Sequence, residues 1–323
     1  MSAASAQPVA PPVEPIAIGI VGLGKIACDQ HLPRIAANPA FALAATASPQ
    51  AGGSGAPHFA TLAQMLQAQP ALAAVVICTP PQSHYDIAAE ALAAGKHVLL
   101  EKPPCVSVEQ LDQLQQRART AGRTLFTAWH SQYAAAVPLA EGALRSRALR
   151  AVRVTWLEDV RHWHPGQSWL TQPGGFGVFD AGINAVSILT RLMPGALSVC
   201  SARLFVPANW STPIAAEFAL QSERGVRITG ELDFAHPGAP RWEIELVCET
   251  GTLRLADGGS RLMLDGEPLP EPAAALADEY AAIYDRFAEL IAHGESQVDA
   301  RPLRCVCELL HVGSAVTVGA FSH

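Results

Sequence analysis

Lys102 stands in Glu101-Lys102-Pro103-Pro104, where an apolar strand ends and a proline pair follows. A Glu-Lys pair is usually a solvated ion pair, but a strand end stiffened by prolines holds this ammonium toward a crevice. There it can stabilise an alkoxide, and desolvation can bring a lysine into the range useful for proton transfer. A second cluster, Gly175-Phe-Gly177-Val-Phe-Asp180-Ala-Gly182-Ile-Asn184, sets Asp180 and Asn184 four residues apart on one helix face. A carboxylate beside an amide suits a polyhydroxylated ligand, while the bland alternative is that Asp180 caps its helix. The glycines ahead of it let the helix start approach something bulky.

The loop Glu158-Asp-Val-Arg161-His162-Trp163-His164-Pro165 gathers acids, an arginine, two histidines and an indole within eight residues. Metal ligation is the first thought. No cysteine accompanies the loop and no His-x-x-x-His spacing is present, so no metal is expected. Aromatic faces beside hydrogen-bonding groups are what a sugar needs, since its C–H faces stack on rings while its hydroxyls take polar partners. Trp163, His130 and Trp242 are candidates for that wall.

Upstream, Gly22-Leu-Gly24-Lys25-Ile26-Ala27 follows the apolar run Ile16–Val21 and opens a helix. In that setting glycines bring backbone N–H groups, here of Gly22, Gly24, Lys25 and Ile26, close to a pyrophosphate at the helix start. The next strand ends Ala45-Thr46-Ala47-Ser48-Pro49, without the acid that would bond a ribose 2′-OH and repel a 2′-phosphate. Ser48 can donate to such a phosphate, so either NAD or NADP is expected. Thr79, Pro80 and His84 of Thr79-Pro80-Pro81-x-x-His84 fall at the same carboxyl edge, as do Glu101 and Lys102, and are expected to border the cofactor.

These groups need a frame. Apolar runs at Ile16–Val21, Leu43–Ala47, Ala74–Cys78, Val98–Leu100 and Thr124–Ala128 alternate with helical patterns near Ala27–Ala37, His84–Ala94 and Val108–Ala121. That alternation predicts an α/β, doubly wound parallel sheet of the Rossmann kind over residues 16–130, its strands apolar because helices cover both faces. From 131 to 323 the pattern changes to one long strand at Leu149–Trp156, a Gly/Pro/Trp loop, one helix, and then successive strands near 199–206, 215–220, 226–234, 244–249 and 252–255. Helices near 277–292 and 302–313 close the chain. Strands without helices between them predict an α+β domain with a mostly antiparallel open sheet, Glu249-Thr-Gly251 being one of its hairpin turns. Residues 1–15, rich in Ala and Pro, read as a disordered tail with neither a basic nor an apolar leader segment.

With 323 residues, 50% apolar and 16% charged, two buried cores are within reach. A formal charge of −7 without a basic run argues against nucleic acid or an anionic membrane as partner, and no apolar stretch reaches the roughly 18–20 residues needed to span a bilayer. The seven scattered cysteines suggest neither a disulfide framework nor a zinc knuckle, and fit a reducing cytoplasm.

Together, the Gly22–Ala27 turn, Glu101-Lys102-Pro103 and the Asp180-x-Gly182 helix resemble the Gfo/Idh/MocA oxidoreductases over essentially the whole chain from Ile16. Within that family, Glu158-Asp-Val-Arg-His-Trp-His-Pro-Gly and the Gly175–Ile188 segment are similar to a bacterial branch oxidising L-arabinose or D-galactose at C1. The resemblance implies that Lys102 and Asp180 carry the chemistry and that Glu158, His164 and Asn184 grip sugar hydroxyls. The wider family places a proton-transferring His where this chain has Asn184, and Asn is the residue expected in the aldose branch. That branch often has Ser-Arg after the second strand; Pro49 replaces the Arg here, which leaves both cofactors open. The expected reaction oxidises an aldopyranose to its lactone by hydride transfer to NAD or NADP, and a homodimer through the C-terminal sheet is expected. Two other readings stay open: a sugar-responsive regulator of the same fold without turnover, and an inositol or diol dehydrogenase.

Overall fold

The computed structural model describes residues 14–50, 53–269 and 278–322. Most of the tail assigned to residues 1–15 therefore lies outside the described residues. Six strands form the first sheet: β1 (Ile16–Val21), β2 (Phe41–Ala47), β3 (His58–Phe59), β4 (Ala74–Ile77), β5 (His97–Glu101) and β6 (Leu125–Ala128). All are parallel, in the order β3-β2-β1-β4-β5-β6. The order reverses between β1 and β4, and a crevice opens there at the carboxyl ends of the strands, where such sheets bind ligands.

Side chains alternate between the two faces. Val75, Ile77, Val98 and Leu100 face one core with α2 (Leu62–Ala68), α3 (His84–Ala93) and α4 (Val108–Ala121). Ile18, Ile20, Val76, Leu99 and Phe126 face the other, with α1 (Leu32–Ala37). Both faces are dry, which is why these strands read as unbroken apolar runs. The first helix begins irregularly: Ala27–His31 is one π-helical turn, and the α-helical part starts only at Leu32. The short β3 and α2 were not anticipated, since a two-residue strand carries no periodicity to detect.

The second sheet has nine strands: β7 (Leu149–Leu157), β8 (Leu197–Pro207), β9 (Ala215–Ser222), β10 (Arg227–Asp233), β11 (Arg241–Cys248), β12 (Thr252–Ala256), β13 (Arg261–Leu264), β14 (Glu267–Pro268) and β15 (Ser314–Val318). Its order is β14-β13-β12-β11-β7-β10-β9-β8-β15. Only β7 with β10 and β8 with β15 are parallel; the other pairs are antiparallel, as expected of this half. One face, carrying Val152, Val154, Leu232, Ile244 and Leu246, packs in a core that also takes in α5 (Val137–Leu144), α7 (Phe179–Leu192) and α9 (Arg301–Val312). Gly182 lets α7 lie close on this sheet, because a Cβ there would stand 2.5 Å from Leu232 Cδ1.

The last long helix but one, α8 (Glu279–His293), lies in sequence between strands β14 and β15 of the second sheet but packs on the first. Its Ile283, Tyr284, Phe287 and Leu290 complete the core under Ile18, Ile20 and Phe126. Arg34 of α1 pairs with Asp278, the residue capping α8, and Asn38 Nδ2 donates to Asp285 Oδ1 at 2.8 Å. Amphipathic spacing identifies the helix and its buried face, but not the sheet that face will cover.

Candidate active site

Two strand ends and two helix starts converge on the crevice. β5 delivers Lys102, whose Nζ lies 3.2 Å from Asp180 Oδ2 and also donates to the Asp180 carbonyl at 3.0 Å. Asp180 stands in the first turn of α7 with no capping role, the cap position being Val178. The helix start is held by glycines that no other residue could replace. A Cβ on Gly175 would sit 2.0 Å from the Trp169 carbonyl, and one on Gly177, at φ +54°, 2.2 Å from that of Pro213. The bulky neighbour implied by the glycine spacing is thus backbone: that of the loop bearing Trp169 for Gly175, and that of the Thr212–Pro213 segment for Gly177.

Glu158, between β7 and the single-turn α6 (Val160–Trp163), is only 4% exposed. Its Oε1 accepts from His164 Nε2 at 3.1 Å and its Oε2 from Trp242 Nε1 at 2.8 Å. Trp163 meets Trp242 edge to face at 4.9 Å between ring centres, and is itself 37% exposed. Burial by itself would lower the His164 pKa, but the Glu158 hydrogen bond and the Asp180 charge outweigh it and raise the value. These side chains, with Asn184 and His130, line a cleft of about 370 Å³. His130 stacks on Tyr280 at 5.3 Å and bonds Glu279 at 2.5 Å.

Lys102, Trp163 and His164 also line a neighbouring cleft of about 280 Å³ that runs past Lys25, Thr79 and Asp180. That cleft continues into a third, of about 530 Å³, walled by Gly22, Gly24, Ser48, Pro49, Thr79 and Pro80. The outer clefts fit a dinucleotide. Gly22 has φ +90°, and a Cβ on it would meet the Thr79 backbone at 2.8 Å, whereas a Cβ on Gly24 would meet nothing within 4 Å. One glycine closes the turn and the other leaves its backbone open. Lys25, on the rim of both clefts, pairs with Asp29 four residues on. Ser48 sits at the far end, its hydroxyl accepting from the Gln50 backbone at 3.3 Å.

Residues 16–129 match the model of the Gfo/Idh/MocA oxidoreductases with an NAD-binding Rossmann fold. The chain is 44% identical over 309 residues to galactose 1-dehydrogenase of Pseudomonas fluorescens, covering 96% of this chain and 99% of that protein. The chain belongs to the Gfo/Idh/MocA oxidoreductase family. It aligns with the crystal structure of D-galactose-1-dehydrogenase from Rhizobium etli at TM-score 0.90 and 43% identity, over 96% of this chain and 99% of that one. A 3-ketoreductase from Actinomadura kijaniata, solved with NADP and TDP-benzene, shares the fold at TM-score 0.83 and 20% identity, over 94% of this chain and 99% of that one.

Against this family background, one residue expected to border the cofactor needs correction. His84 is fully buried, with Nε2 2.6 Å from the Thr79 carbonyl and Nδ1 3.0 Å from that of Pro103. It sits between the Thr79 loop and the Lys102 loop; burial pushes its pKa down, and the neutral ring this favours donates to one of the two carbonyls. Glu101 lines the middle cleft as expected, yet its carboxylate is mostly engaged within the protein, accepting from His31, Tyr280 and the Lys102 backbone. Sequence reasoning missed these anchors and also Gln167 and Trp169, which line both cofactor clefts, and Asp257 and Ser260, which line the inner one. An earlier signal existed for Gln167 and Trp169, which extend the Trp163–His164 loop. Among the described residues no group of His, Cys, Asp and Glu could hold a metal, all seven cysteines are free, and no helix is long and apolar enough to cross a membrane.

Proposed function

We propose that this chain is an NAD(P)-dependent aldose 1-dehydrogenase, oxidising D-galactose, L-arabinose or a similar aldopyranose at C1 to the lactone. The contact between Lys102 and Asp180, at the junction of the cofactor cleft and the indole-walled cleft, carries this reading. Support comes also from near full-length similarity to the two galactose 1-dehydrogenases. When bound, the nicotinamide supplies the hydride acceptor, and a sugar seated against Trp163 and Trp242 brings C1 to it.

The residues of the chain do the rest. An ammonium has three N–H groups, and two of those on Lys102 point at Asp180, which leaves one for the sugar O1. Lys102 thereby polarises O1, and the Asp180 carboxylate takes its proton as the C1 hydride departs, so charge and atoms balance as lactone, reduced cofactor and one proton. Glu158 retains a lone pair on each oxygen beyond those facing His164 and Trp242, and these accept from ring hydroxyls. Asn184, one helical turn beyond Asp180, offers both a donor and an acceptor. L-Arabinose and D-galactose share their ring configuration from C1 to C4 and differ by the C5 hydroxymethyl group, so one pocket serves both.

Both NAD and NADP are expected to work, since Ser48 neither repels a 2′-phosphate nor grips it bidentately. A panel of aldoses, inositols and diols, followed by nicotinamide absorbance with each cofactor, tests the reading. Turnover of galactose or arabinose supports it. Turnover of inositols alone, or none at all with binding intact, would overturn it in favour of a polyol dehydrogenase or a non-catalytic sugar sensor.

A further inference from the structure

We propose that His31, Tyr280 and Tyr284 are positioning residues that clamp the Glu101 carboxylate and so hold Lys102 in register with the cofactor-binding turn. The inference rests on the catalytic role given to Lys102 above. Glu101 is 3% exposed, a depth at which a carboxylate must find several donors or lose its charge. It finds three: Tyr280 Oη at 2.8 Å, His31 Nε2 at 3.0 Å and the Lys102 backbone N–H at 2.9 Å. His31 Nδ1 faces Tyr284 Oη at 2.8 Å. One tautomer satisfies every group: Nε2–H donates to Glu101, and Nδ1 accepts from the Tyr284 hydroxyl.

The sequence origins of these groups give the network its meaning. His31 ends the π-helical turn Ala27–His31, directly after the glycine turn that lines the outer cofactor cleft. One residue inserted into a helix rotates everything after it by roughly 100°, and such turns collect at functional sites. Here the turn brings a fully buried imidazole onto Glu101, the residue next to Lys102. Tyr280 and Tyr284 lie four apart on α8, the helix that crosses from the second sheet to the first, and Tyr280 also stacks on His130 in the inner cleft. The phosphate-binding turn, the lysine and one wall of the inner cleft thus meet at a single carboxylate. Burial alone would push the Glu101 carboxyl up, but the His31 hydrogen bond, aided by the His130 and Lys102 charges, holds it at about 2. The same burial pushes the Tyr280 hydroxyl well up, so it stays a donor.

Tyr280→Phe removes one oxygen and keeps the stacked ring; His31→Leu removes the imidazole donor, and His31→Gln restores an N–H pointing the same way. A loosened lysine is expected to lower kcat about tenfold in Tyr280→Phe and His31→Leu, with sugar KM and cofactor Kd within about twofold. His31→Gln should recover most of the loss. Lys102 itself can be followed without any sugar, by its rate of modification with trinitrobenzenesulfonate read by peptide mass spectrometry, and this rate should rise in Tyr280→Phe. Unchanged labelling and unchanged kcat in Tyr280→Phe, or a His31→Gln protein no better than His31→Leu, would overturn the clamp. A wild-type protein inert toward every aldose, but with labelling accelerated in Tyr280→Phe, would refute the aldose reading and leave the clamp standing.

Discussion

Glu158→Gln isolates the part of the site that should recognise sugar. The substitution keeps volume and removes charge. Two donors face the native carboxylate, His164 Nε2 at 3.1 Å and Trp242 Nε1 at 2.8 Å, whereas glutamine has a single acceptor oxygen. The indole nitrogen is a donor only, so Trp242 claims that oxygen. His164 is then left facing an amide N–H and must move its proton to Nδ1, toward Gln167 Oε1 at 3.3 Å. The sugar hydroxyls lose a charged acceptor in the same step. One charge-assisted hydrogen bond is worth about 1.5–3 kcal/mol, so aldose KM should rise about tenfold to 150-fold, with a far smaller change in kcat. Initial rates against sugar concentration at saturating cofactor supply the assay.

The same variant has a pH signature. The folded pKa of His164 is raised above 6.5, so its pairing with Glu158 contributes stability that is complete below about 6.5 and is lost as pH rises through the raised value. In Glu158→Gln that decline of Tm on the alkaline side should flatten. A KM within about twofold of wild type, or an unaltered Tm profile, would refute the reasoning about Glu158.

Asp180→Asn, which spares the pocket an uncompensated cavity, should lower kcat by on the order of a hundredfold or more while leaving sugar KM nearly constant; near-normal kcat would remove Asp180 as the base. Pro49→Arg should raise kcat/KM for NADP relative to NAD by supplying a guanidinium fork at the end of β2, and Ser48→Asp should shift it the other way; ratios unchanged in both variants would mean that this strand end does not face the adenine ribose. Because the Glu101 carboxyl is held at about 2 against 4.5 for a free glutamate, its contribution to stability is complete above about 4.5 and disappears as pH falls toward 2. Acid titration of Glu101→Gln, followed by circular dichroism, should show a shallower loss of structure over that window than the wild type.

The two kinds of sheet, and the strand end and helix that carry Lys102 and Asp180, were legible in the sequence because each rests on local pattern. The Val108–Ala121 helix follows from its apolar spacing, and the glycines before Asp180 mark a close approach whose partner alone was unknown. What could not be read depends on partners far apart in the chain. His31 and Tyr284 are separated by 253 positions, and no periodicity near either one reports on the other. For the same reason the partners of Glu101 went unread: a carboxylate at a strand end looks free until its burial and its three donors are known. The exposed strand β15, four of its five residues facing solvent, carries no apolar alternation and escaped notice as well. His84 illustrates the opposite error, a histidine at the ligand edge of the sheet whose ring turns inward between two loops.

The central claim is that hydride leaves C1 of an aldopyranose held between the Lys102–Asp180 pair and the indole-walled cleft. Turnover of D-galactose carrying deuterium at C1 tests it most directly, with the reduced cofactor analysed by mass spectrometry and the product by NMR. Deuterium is expected on the nicotinamide ring and absent from the galactonolactone, with Asp180→Asn suppressing the transfer. Deuterium retained in an oxidised sugar would place the chemistry at another carbon and contradict the account.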